Sequence, residues 1–382
     1  MTNVLLIYEQ FTPSVKLCAF EQLNYLSQTG SLRLTHSCVG KLSKKLCMLC
    51  DVVVFVRSTS ILEMMLAKEF KKQGKLLIYV LDDDLLNVPN NMFSSDFYRY
   101  PKIIKRISDM MNLCDILLTP SILLAEKYQT YFTKTVTVEE PCVAKAIVNR
   151  RKNEILKIGF AGSLDRAGDI NLLISEAIRA LINKYGKKIS IEFMGALPQV
   201  ADELGLQHYP YEDNYDSYKK KLDKLNWDIG LAPMPDTEFH RYKHYNKYVE
   251  YSSSLITGVY SNVQPYTRVI KEKVNGLLCD NTKEAWVEAV SWLIDHPEET
   301  ERIRLYNSHH IQESFSTKVI AERLLQELPE LGSYCAKKCK CFPLKYIMVI
   351  SLTWKTFEFI VKYGLRAPKV AIYKLQAIIN KI

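Results

Sequence analysis

Short apolar runs alternate with amphipathic segments along most of this 382-residue chain. The run DVVVFV at 51–56 has the β-branched composition of a strand buried on both faces of a parallel sheet. The segment 61–72 instead has a helical period, and Gly74 provides a stop signal after it. Because segments of the two kinds alternate, the pattern predicts an α/β fold of the doubly wound type.

Two successive sets of these elements predict two domains, residues 1–150 and 151–332, followed by a tail at 333–382. The first set has predicted strands at 4–8, 32–36, 51–56, 75–81, 115–119 and 134–138 and helices at 16–26, 61–72, 99–114 and 123–131. The second set has predicted strands at 155–160, 189–194 and 228–232 and helices at 170–185, 216–225, 286–294, 297–314 and 318–325. A polar, basic stretch at 141–153 without periodicity predicts the linker between the domains.

The net charge of +9 is concentrated in the tail, where nine Lys and one Arg face a single acid, Glu358. The rest of the chain is neutral and gives no indication of a nucleic-acid surface. Aromatic residues lie among the tail lysines, and after Pro368 the apolar positions 372, 375, 378, 379 and 382 share one helical face. We expect this basic amphipathic helical tail to bind an anionic membrane surface. The alternative is that its helices pack on the first domain and merely expose their lysines.

Cysteine usage and the lengths of the apolar runs bear on the location of the protein. The ten cysteines are scattered, and the close groups, 47 with 50 and 335 with 339 and 341, lie far apart in the chain. This favours reduced thiols over a zinc site. No apolar run approaches the ~20 residues of a transmembrane helix, and residues 3–7 are too short for the core of a signal peptide. We therefore expect a cytoplasmic protein, associated peripherally with the inner face of the membrane.

Candidate chemistry is concentrated at 239–261, FHRYKHYNKYVEYSSSLITGVYS, which predicts a basic loop, a helix and a strand. The basic side chains of its first half are His240, Arg241, Lys243, His244 and Lys247. Lysine and arginine bind phosphate charge, and histidine can add hydrogen bonds. Glu250 follows, and a fixed carboxylate can accept hydrogen bonds from a ribose diol. The stretch therefore predicts a site for a nucleotide diphosphate.

Phe239, Lys243, Lys247, Glu250 and Tyr251 fit the pattern F-x-x-x-K-x-x-x-K-x-x-E-Y. In this the stretch resembles the donor-site signature of group 1 (family 4-type) glycosyltransferases, which have the GT-B fold. The segments GFAGS at 159–163, WDIGLAP at 227–233 and PY at 265–266 resemble the same family. The resemblance covers residues 155–325 well and the first domain loosely. It implies two Rossmann-like domains facing each other across a cleft, with helix 318–325 crossing back to the first domain.

The resemblance also implies an activity: transfer of a hexose or related sugar from a nucleotide-diphosphate sugar to a hydroxyl of a glycan or lipid-linked acceptor. It further implies retention of anomeric configuration and a place in cell-surface glycan or polysaccharide assembly. Many relatives have two glutamates in this element. Glu250 fits the second, whereas the first would fall at Tyr242. The catalytic acid or base therefore stays open, and a non-catalytic nucleotide- or sugar-binding protein on a GT-B scaffold is the alternative.

Residue roles follow from the matched positions. The expected catalytic residues are Lys243, Arg241 and Glu250, and the expected donor-binding residues are Gly162, Ser163, Arg166, Lys247, Glu250, Tyr251, Pro265 and Tyr266. The usual family loop has an Arg just after its second glycine and a Lys before the helix. In this sequence those places are taken by Ser163 and Gly168, and Arg166 is a candidate to supply the missing charge.

Three aspartates, Asp82, Asp83 and Asp84, follow a predicted buried strand. Taken alone they resemble the metal-binding D-x-D of GT-A glycosyltransferases, and a plain capped strand end is another reading. The donor motifs lie some 160 residues later on a separate domain, which argues against a GT-A metal site. We expect the three aspartates to face the cleft on the acceptor side, with no metal and no other cofactor.

Overall fold

The computed structural model describes residues 1–92, 94–142, 153–337 and 341–363, with side-chain detail as far as residue 355. Most of the predicted linker and the amphipathic pattern after Pro368 lie outside the described residues. The described chain forms two parallel sheets of six strands each, with helices on their faces. The α/β class and the two-domain, doubly wound architecture predicted from the sequence are confirmed.

The first sheet has the strand order β2-β1-β3-β4-β5-β6, with all neighbours parallel. Its strands are β1 (Asn3–Tyr8), β2 (Arg33–Cys38), β3 (Val52–Val56), β4 (Leu76–Val80), β5 (Ile116–Thr119) and β6 (Lys134–Thr137). Its helices are α1 (Pro13–Val15), which continues through a π-helical turn at Lys16–Phe20 into α2 (Glu21–Gln28), then α3 (Lys44–Leu49), α4 (Ile61–Lys72), α5 (Ser95–Tyr98), α6 (Pro101–Leu113) and α7 (Ile122–Tyr128).

Strand β3 shows why the apolar runs form this sheet. All five of its residues are buried, and they alternate between two cores. Val53 and Phe55 pack on one face of the sheet, and Val54 packs on the other. Ser60 and Glu63 then form a capping box that starts α4. The connection between β3 and α4 is thus fixed at the carboxyl edge of the sheet, where ligands bind in folds of this kind.

The second sheet has the strand order β12-β11-β10-β7-β8-β9, again with all neighbours parallel. Its strands are β7 (Leu156–Gly162), β8 (Ile189–Gly195), β9 (Gln207–Tyr209), β10 (Ile229–Ala232), β11 (Thr257–Ser261) and β12 (Leu277–Cys279). Its helices are α8 (Ala167–Leu173), α9 (Ser175–Tyr185), α10 (Gln199–Glu203), α11 (Tyr215–Leu225), α12 (Glu238–Arg241), α13 (Asn246–Ser253), α14 (Lys283–Asp295) and α15 (Pro297–Phe315).

Short elements and one long helix differ from the sequence predictions. The three-residue edge strands β9 and β12 and the short helices α3 and α10 were not predicted, because so few residues give no clear period. The predicted helix at 170–185 is two helices that meet at Ile174. The first of them begins earlier than predicted, where Arg166 pairs with Asp169 one turn on.

Helix α16 (Thr317–Glu327) returns to the first domain, as the GT-B resemblance implies. Its residues Ile320, Ala321 and Leu324 are buried in the same core as Val54 of β3. The short helix α17 (Glu330–Ser333) continues on that domain, where Leu331 is buried in the same core.

The described part of the tail packs on the first domain. Phe342, Leu344 and Ile347 are buried in the core of the first domain at the start of α18 (Leu344–Tyr363). At these positions the chain packs on the first domain, as the alternative in the sequence analysis allowed, and α18 contacts α4. Binding of residues 333–382 to an anionic membrane stays a prediction. In the described part of the chain, no helix combines the length and apolarity that crossing a bilayer requires.

Candidate active site

A cleft between the two domains collects side chains from the carboxyl edges of both sheets. It contains two adjoining cavities with about 870 and 630 Å³ of open space. Residues that line both are Asp82, Glu140, Gly162, Ser163, Asn246, Lys247 and Glu250. The first cavity adds Asp83, Met92, Phe160, Arg166, Ala232, Pro233, Met234, Lys243, His244 and Tyr266. The second adds Pro13, Ser14, Leu17, Tyr211, Glu212, Tyr215 and Tyr218.

The first cavity has a cationic wall formed by Arg166 and Lys243. Strand β7 ends at Gly162, and a short 3₁₀ turn carries the chain into α8 with Arg166 at the end of that turn. The guanidinium of Arg166 donates to the carbonyl oxygen of Pro233 at 2.6 Å and lies 3.2 Å from a carboxylate oxygen of Asp169. Both contacts fix its position, so a positive charge is held beside the glycine turn.

Lys243 links the second domain to the first. Its Nζ donates to Oδ1 of Asp83 at 2.6 Å and lies 4.6 Å from the ring centroid of Phe239. Arg57 approaches from the first domain and donates to Asp82 at 3.0 Å and to Asp83 at 3.3 Å. Burial would raise the pKa of Asp83, but Lys243 and Arg57 outweigh it and lower that pKa to about 2. Asp83 is therefore a fixed anion on the wall of the cleft.

Glu250 and Lys247 lie on one face of α13, which begins at Asn246 beside the cleft. Lys247 contacts Oε2 of Glu250, and the hydroxyl of Tyr218 donates to the same oxygen at 2.8 Å. The other oxygen, Oε1, has no hydrogen-bond donor among the described residues. A rigidly held carboxylate thus keeps one acceptor atom for a ligand.

Three tyrosines, Tyr211, Tyr215 and Tyr218, form an aromatic wall in the second cavity. The rings of Tyr215 and Tyr218 lie 6.0 Å apart between centroids, because the two residues are neighbours on one face of α11. The sequence prediction did not include them. Their signal was the i, i+3 spacing of tyrosines in the first turn of a helix that follows a strand end.

Glu140 was also missed. It follows β6 at the carboxyl edge of the first sheet and lines both cavities. Its carboxyl group is buried and accepts a hydrogen bond from the Cys18 thiol at 3.3 Å. Burial, followed by the neighbouring charge of Asp82, raises the pKa of Glu140 to about 8. The group therefore holds a proton at neutral pH, and a carboxylic acid in a cleft can donate a hydrogen bond.

The two histidines of the basic stretch are neutral. Burial lowers the pKa of His240 to about 3, with the Arg166 charge as the next cause. Burial also lowers the pKa of His244 to about 4. Neither Nε2 atom has a hydrogen-bond partner among the described residues. Only His244 lines the cleft, so it can offer a ligand a hydrogen bond but no charge.

Several residues predicted for the site lie elsewhere. Arg241 is 53% exposed, pairs with Asp236 at 2.8 Å and does not line either cavity. Tyr251 is fully buried beneath the sheet, and its hydroxyl donates to the carbonyl oxygen of Leu231 at 2.7 Å. Pro265 precedes Tyr266 but does not itself line the cleft. The geometry thus assigns packing or surface positions to Arg241, Tyr251 and Pro265.

The carboxylates of the three successive aspartates pair with three different cations, Arg57, Lys243 and Lys127. Asp82 and Asp83 line the cleft, whereas Asp84 is buried and pairs with Lys127 at 2.8 Å. Lys127 also contacts Glu238 of the second domain at 2.8 Å. Among the described residues, no group of three or more His, Cys, Asp or Glu side chains has a geometry suited to a metal ion.

No family model matches the sequence, and no curated protein sequence is similar to it. Solved structures do resemble its fold. A glycosyltransferase from Rickettsia africae has a TM-score of 0.60 at 12% identity, over 86% of this chain and 98% of that chain. Anabaena HepE, in complex with UDP and glucose, has a TM-score of 0.61 at 11% identity, over 86% and 100%. Sucrose-phosphate synthase from Thermosynechococcus elongatus has a TM-score of 0.60 at 11% identity, over 87% and 99%.

The structural neighbours of this chain are thus glycosyltransferases. The likeness extends over both sheets and shows that the chain has the GT-B fold, with two Rossmann-like domains that face each other across a cleft. At identities of 11–12% it establishes the fold. The activity has to be argued from the chemistry of the cleft.

Proposed function

We propose that the protein is a glycosyltransferase, which moves a hexose or related sugar from a nucleotide-diphosphate donor to an acceptor hydroxyl. One observation carries this proposal: a cationic wall, a half-free carboxylate and an aromatic wall adjoin in one cleft. A nucleotide diphosphate needs these three chemistries together. Cations neutralise its phosphates, a carboxylate accepts from its ribose diol, and aromatic rings stack on its base.

The order of these groups gives the donor a direction. The base would lie against Tyr211 and Tyr215, and the ribose would donate to Oε1 of Glu250. The diphosphate would then reach the glycine turn at Gly162, between Arg166 and Lys243. The sugar would then lie next to the first-domain wall of the cleft, near the carboxyl groups proposed for the acceptor side.

The proposed chemistry is electrostatic. When the anomeric C–O bond breaks, negative charge develops on the leaving diphosphate, and the ammonium of Lys243 would neutralise it in a water-poor site. The diphosphate would compete with Asp83 for that ammonium, since Lys243 donates to Asp83 at 2.6 Å in the structure. Donor binding would therefore free Oδ1 of Asp83 on the acceptor side of the cleft, while Arg57 would still contact Oδ2.

The remaining features of the proposal rest on the resemblance of the 239–251 stretch and on the basic tail. They are retention of configuration, a role in cell-surface glycan or polysaccharide assembly, and transfer without a metal. The acceptor would be a glycan or a lipid-linked saccharide that approaches Asp82 and Asp83. The location would be cytoplasmic, on the inner face of the membrane, with the lysines of 333–382 meeting anionic lipid.

A non-catalytic nucleotide- or sugar-binding protein is the second candidate, and Tyr242 supports it. This residue stands where many relatives have a glutamate, and its ring lies 4.2 Å from Nζ of Lys127 in the first domain. Tyr242 does not line either cavity of the cleft. The place of one expected acidic group is therefore taken by an interdomain contact.

Incubation with a panel of nucleotide sugars, with binding, hydrolysis and transfer measured in parallel, separates the two functions. The transferase proposal predicts that one donor is both bound and consumed, faster when its acceptor is present. Tight binding of a donor without hydrolysis or transfer would favour the second candidate. A protein that binds none of the nucleotides would contradict both.

A further inference from the structure

A groove lies on the first domain between the start of α18 and the segment that follows β2. Phe342 anchors one side, with its ring centroid 4.8 Å from that of Phe70 in α4. The other side is formed by Gly40, Leu42 and Lys44, at the turn into α3. Between them is about 1720 Å³ of open space, roughly twice that of the larger cavity in the cleft.

The walls of this groove are mainly apolar. The apolar side chains that line the groove include Leu42, Leu62, Phe342, Leu344, Met348 and Leu352. A groove of this size and lining fits a hydrocarbon chain, because burying such a chain removes apolar surface from water on both sides. It does not fit a free sugar or nucleotide, whose hydroxyl and phosphate groups would find few partners there.

Among the residues whose side chains the structure describes, the charged ones that line the groove are all basic. They are Lys44, Lys345 and Lys355. The three lysines are exposed, so their ammonium groups reach water while their stems flank the apolar wall. The fitting ligand is therefore an anionic amphiphile, in which a hydrocarbon chain carries a phosphate.

The position of the groove connects it with the cleft. Leu62 in its wall follows only five residues after Arg57, which contacts the cleft aspartates Asp82 and Asp83. One short, capped connection between β3 and α4 thus joins a residue of the groove wall to a residue that contacts the cleft aspartates. On the same helix as Lys345 and Lys355, Tyr346 and Trp354 are 68% and 50% exposed, as in side chains that enter a membrane interface.

We propose that this groove binds the hydrocarbon chain of a lipid-linked acceptor, and that its lysines bind the phosphate of that lipid. The inference rests on the proposed transferase function and names the acceptor class: a saccharide or hydroxyl joined to a long chain through phosphate. The chain would enter beside α18, and the head group would extend across the β3–α4 connection towards Asp82 and Asp83.

The test is calorimetric binding of dodecyl phosphate to the full chain, below its micelle concentration, with dodecyl maltoside as a neutral amphiphile of equal chain length. We expect dodecyl phosphate to bind at one site, at least tenfold more tightly than the maltoside. Leu352→Trp, or Leu42→Trp if the first variant does not fold, should fill the groove and weaken the phosphate ligand at least tenfold. The matched control Leu172→Trp, at a site 80% exposed on the second domain, should leave binding unchanged.

A second set of variants tests the role of the three lysines. Replacing Lys44, Lys345 and Lys355 together by Ala should weaken dodecyl phosphate at least tenfold and leave the maltoside unchanged. Replacing the exposed Lys68, Lys187 and Lys188 should change neither affinity. Unchanged binding of dodecyl phosphate by the groove-filling variants would overturn the proposal, because the lysines would then bind phosphate alone.

Residues 364–382 are a competing occupant, since they are amphipathic and belong to the same chain. A chain ended after Tyr363 should bind dodecyl phosphate as the full chain does. A tenfold gain on truncation would mean that the chain's own tail fills the groove, which also overturns the proposal. Nucleotide binding, measured on the same samples, reports separately on the transferase function, so failure of one proposal is distinguishable from failure of the other.

Discussion

At the scale of single residues, the ionisable side chains of the cleft differ in whether they pair with an opposite charge. Lys243 is the central case, because the ammonium expected at the diphosphate donates to Asp83 of the other domain. Glu140 is the opposite case: a buried carboxyl group that accepts a hydrogen bond from the thiol of Cys18. The Lys243–Asp83 pair thus keeps charge in the cleft, whereas the Glu140 carboxyl group keeps its proton.

Glu140 gives a pH prediction with a definite sign. Its pKa is raised from 4.5 to about 8, so its favourable contribution to stability is complete below about 4.5 and is lost as pH rises through about 8. Glu140→Gln removes the ionisation. We expect the variant to exceed the wild type in stability by more than ~1.4 kcal/mol at pH 9, the value of one pKa unit, and by much less at pH 5.

Urea unfolding at the two pH values measures this difference. The exposed substitution Glu284→Gln serves as the control and should shift stability equally at both. If Glu140→Gln also changes stability equally at pH 5 and pH 9, the Glu140 carboxyl does not hold its proton in the folded protein.

The sequence predicted the site residues that one local pattern contains. Lys243, Lys247 and Glu250 share a loop and a helix, and their spacing was enough to bring them together at the cleft. Arg241 belongs to the same pattern, yet α12 is a four-residue helix, and spacing alone could not show that this side chain pairs with Asp236 at the surface. Glu140 joins the site only because the first domain folds over the second, which no local pattern reveals.

At the scale of elements, the second sheet depends on two glycines that let aromatic rings lie against it. Gly159 of β7 and Gly230 of β10 are register partners. A Cβ at Gly159 would lie 1.9 Å from the Trp227 ring, and one at Gly230 would lie 2.6 Å from the Tyr251 ring. This packing explains why Trp227 and Tyr251 belong to the matched sequence patterns although neither side chain lines the cleft.

Gly159→Ala should destabilise the protein by at least ~1–3 kcal/mol, because the added methyl group would overlap the Trp227 ring. The matched control is Gly168→Ala, where no atom lies within 4 Å of the added Cβ. Since Gly168 lies in α8, alanine there should be neutral or stabilising by up to about 1 kcal/mol. Denaturant unfolding followed by tryptophan fluorescence compares the two, and equal stability of both variants would refute the packing role.

The element predictions were best where the apolar period was long. The buried runs that became β1, β3, β4 and β8 were located within one or two residues, since a parallel strand buried on both faces leaves a continuous apolar signal. Strands β9 and β12 carry three residues each and depend on their neighbours for pairing. These two strands form because neighbouring strands pair with them, and their own three residues give no recognisable pattern.

At the scale of the whole molecule, ion pairs join the two domains across the cleft. Lys16 contacts Asp216 at 2.7 Å, and Lys127 contacts Glu238 at 2.8 Å. Lys243 and Asp83 form a third such pair. We propose that Lys243, rather than a metal ion, would neutralise the charge of the leaving diphosphate.

This view predicts that transfer does not depend on a divalent ion. Activity measured after exhaustive treatment with EDTA should equal the untreated value, and added manganese should change it less than twofold. Loss of activity on chelation, restored by manganese and not by sodium, would assign the aspartates of the first domain to a metal after all.

The central claim is that Lys243, and not its neighbour Arg241, stabilises the leaving diphosphate. The decisive measurement is kcat/KM for the donor in the wild type, Lys243→Ala and Arg241→Ala, with folding checked by circular dichroism. Loss of a charge-assisted hydrogen bond costs ~1.5–3 kcal/mol, so Lys243→Ala should lower kcat/KM roughly ten- to hundred-fold. Arg241→Ala, which removes a side chain that is half exposed and outside the cleft, should retain wild-type kcat/KM within about twofold. Equal values for Lys243→Ala and the wild type, or a larger loss in Arg241→Ala, would contradict the account.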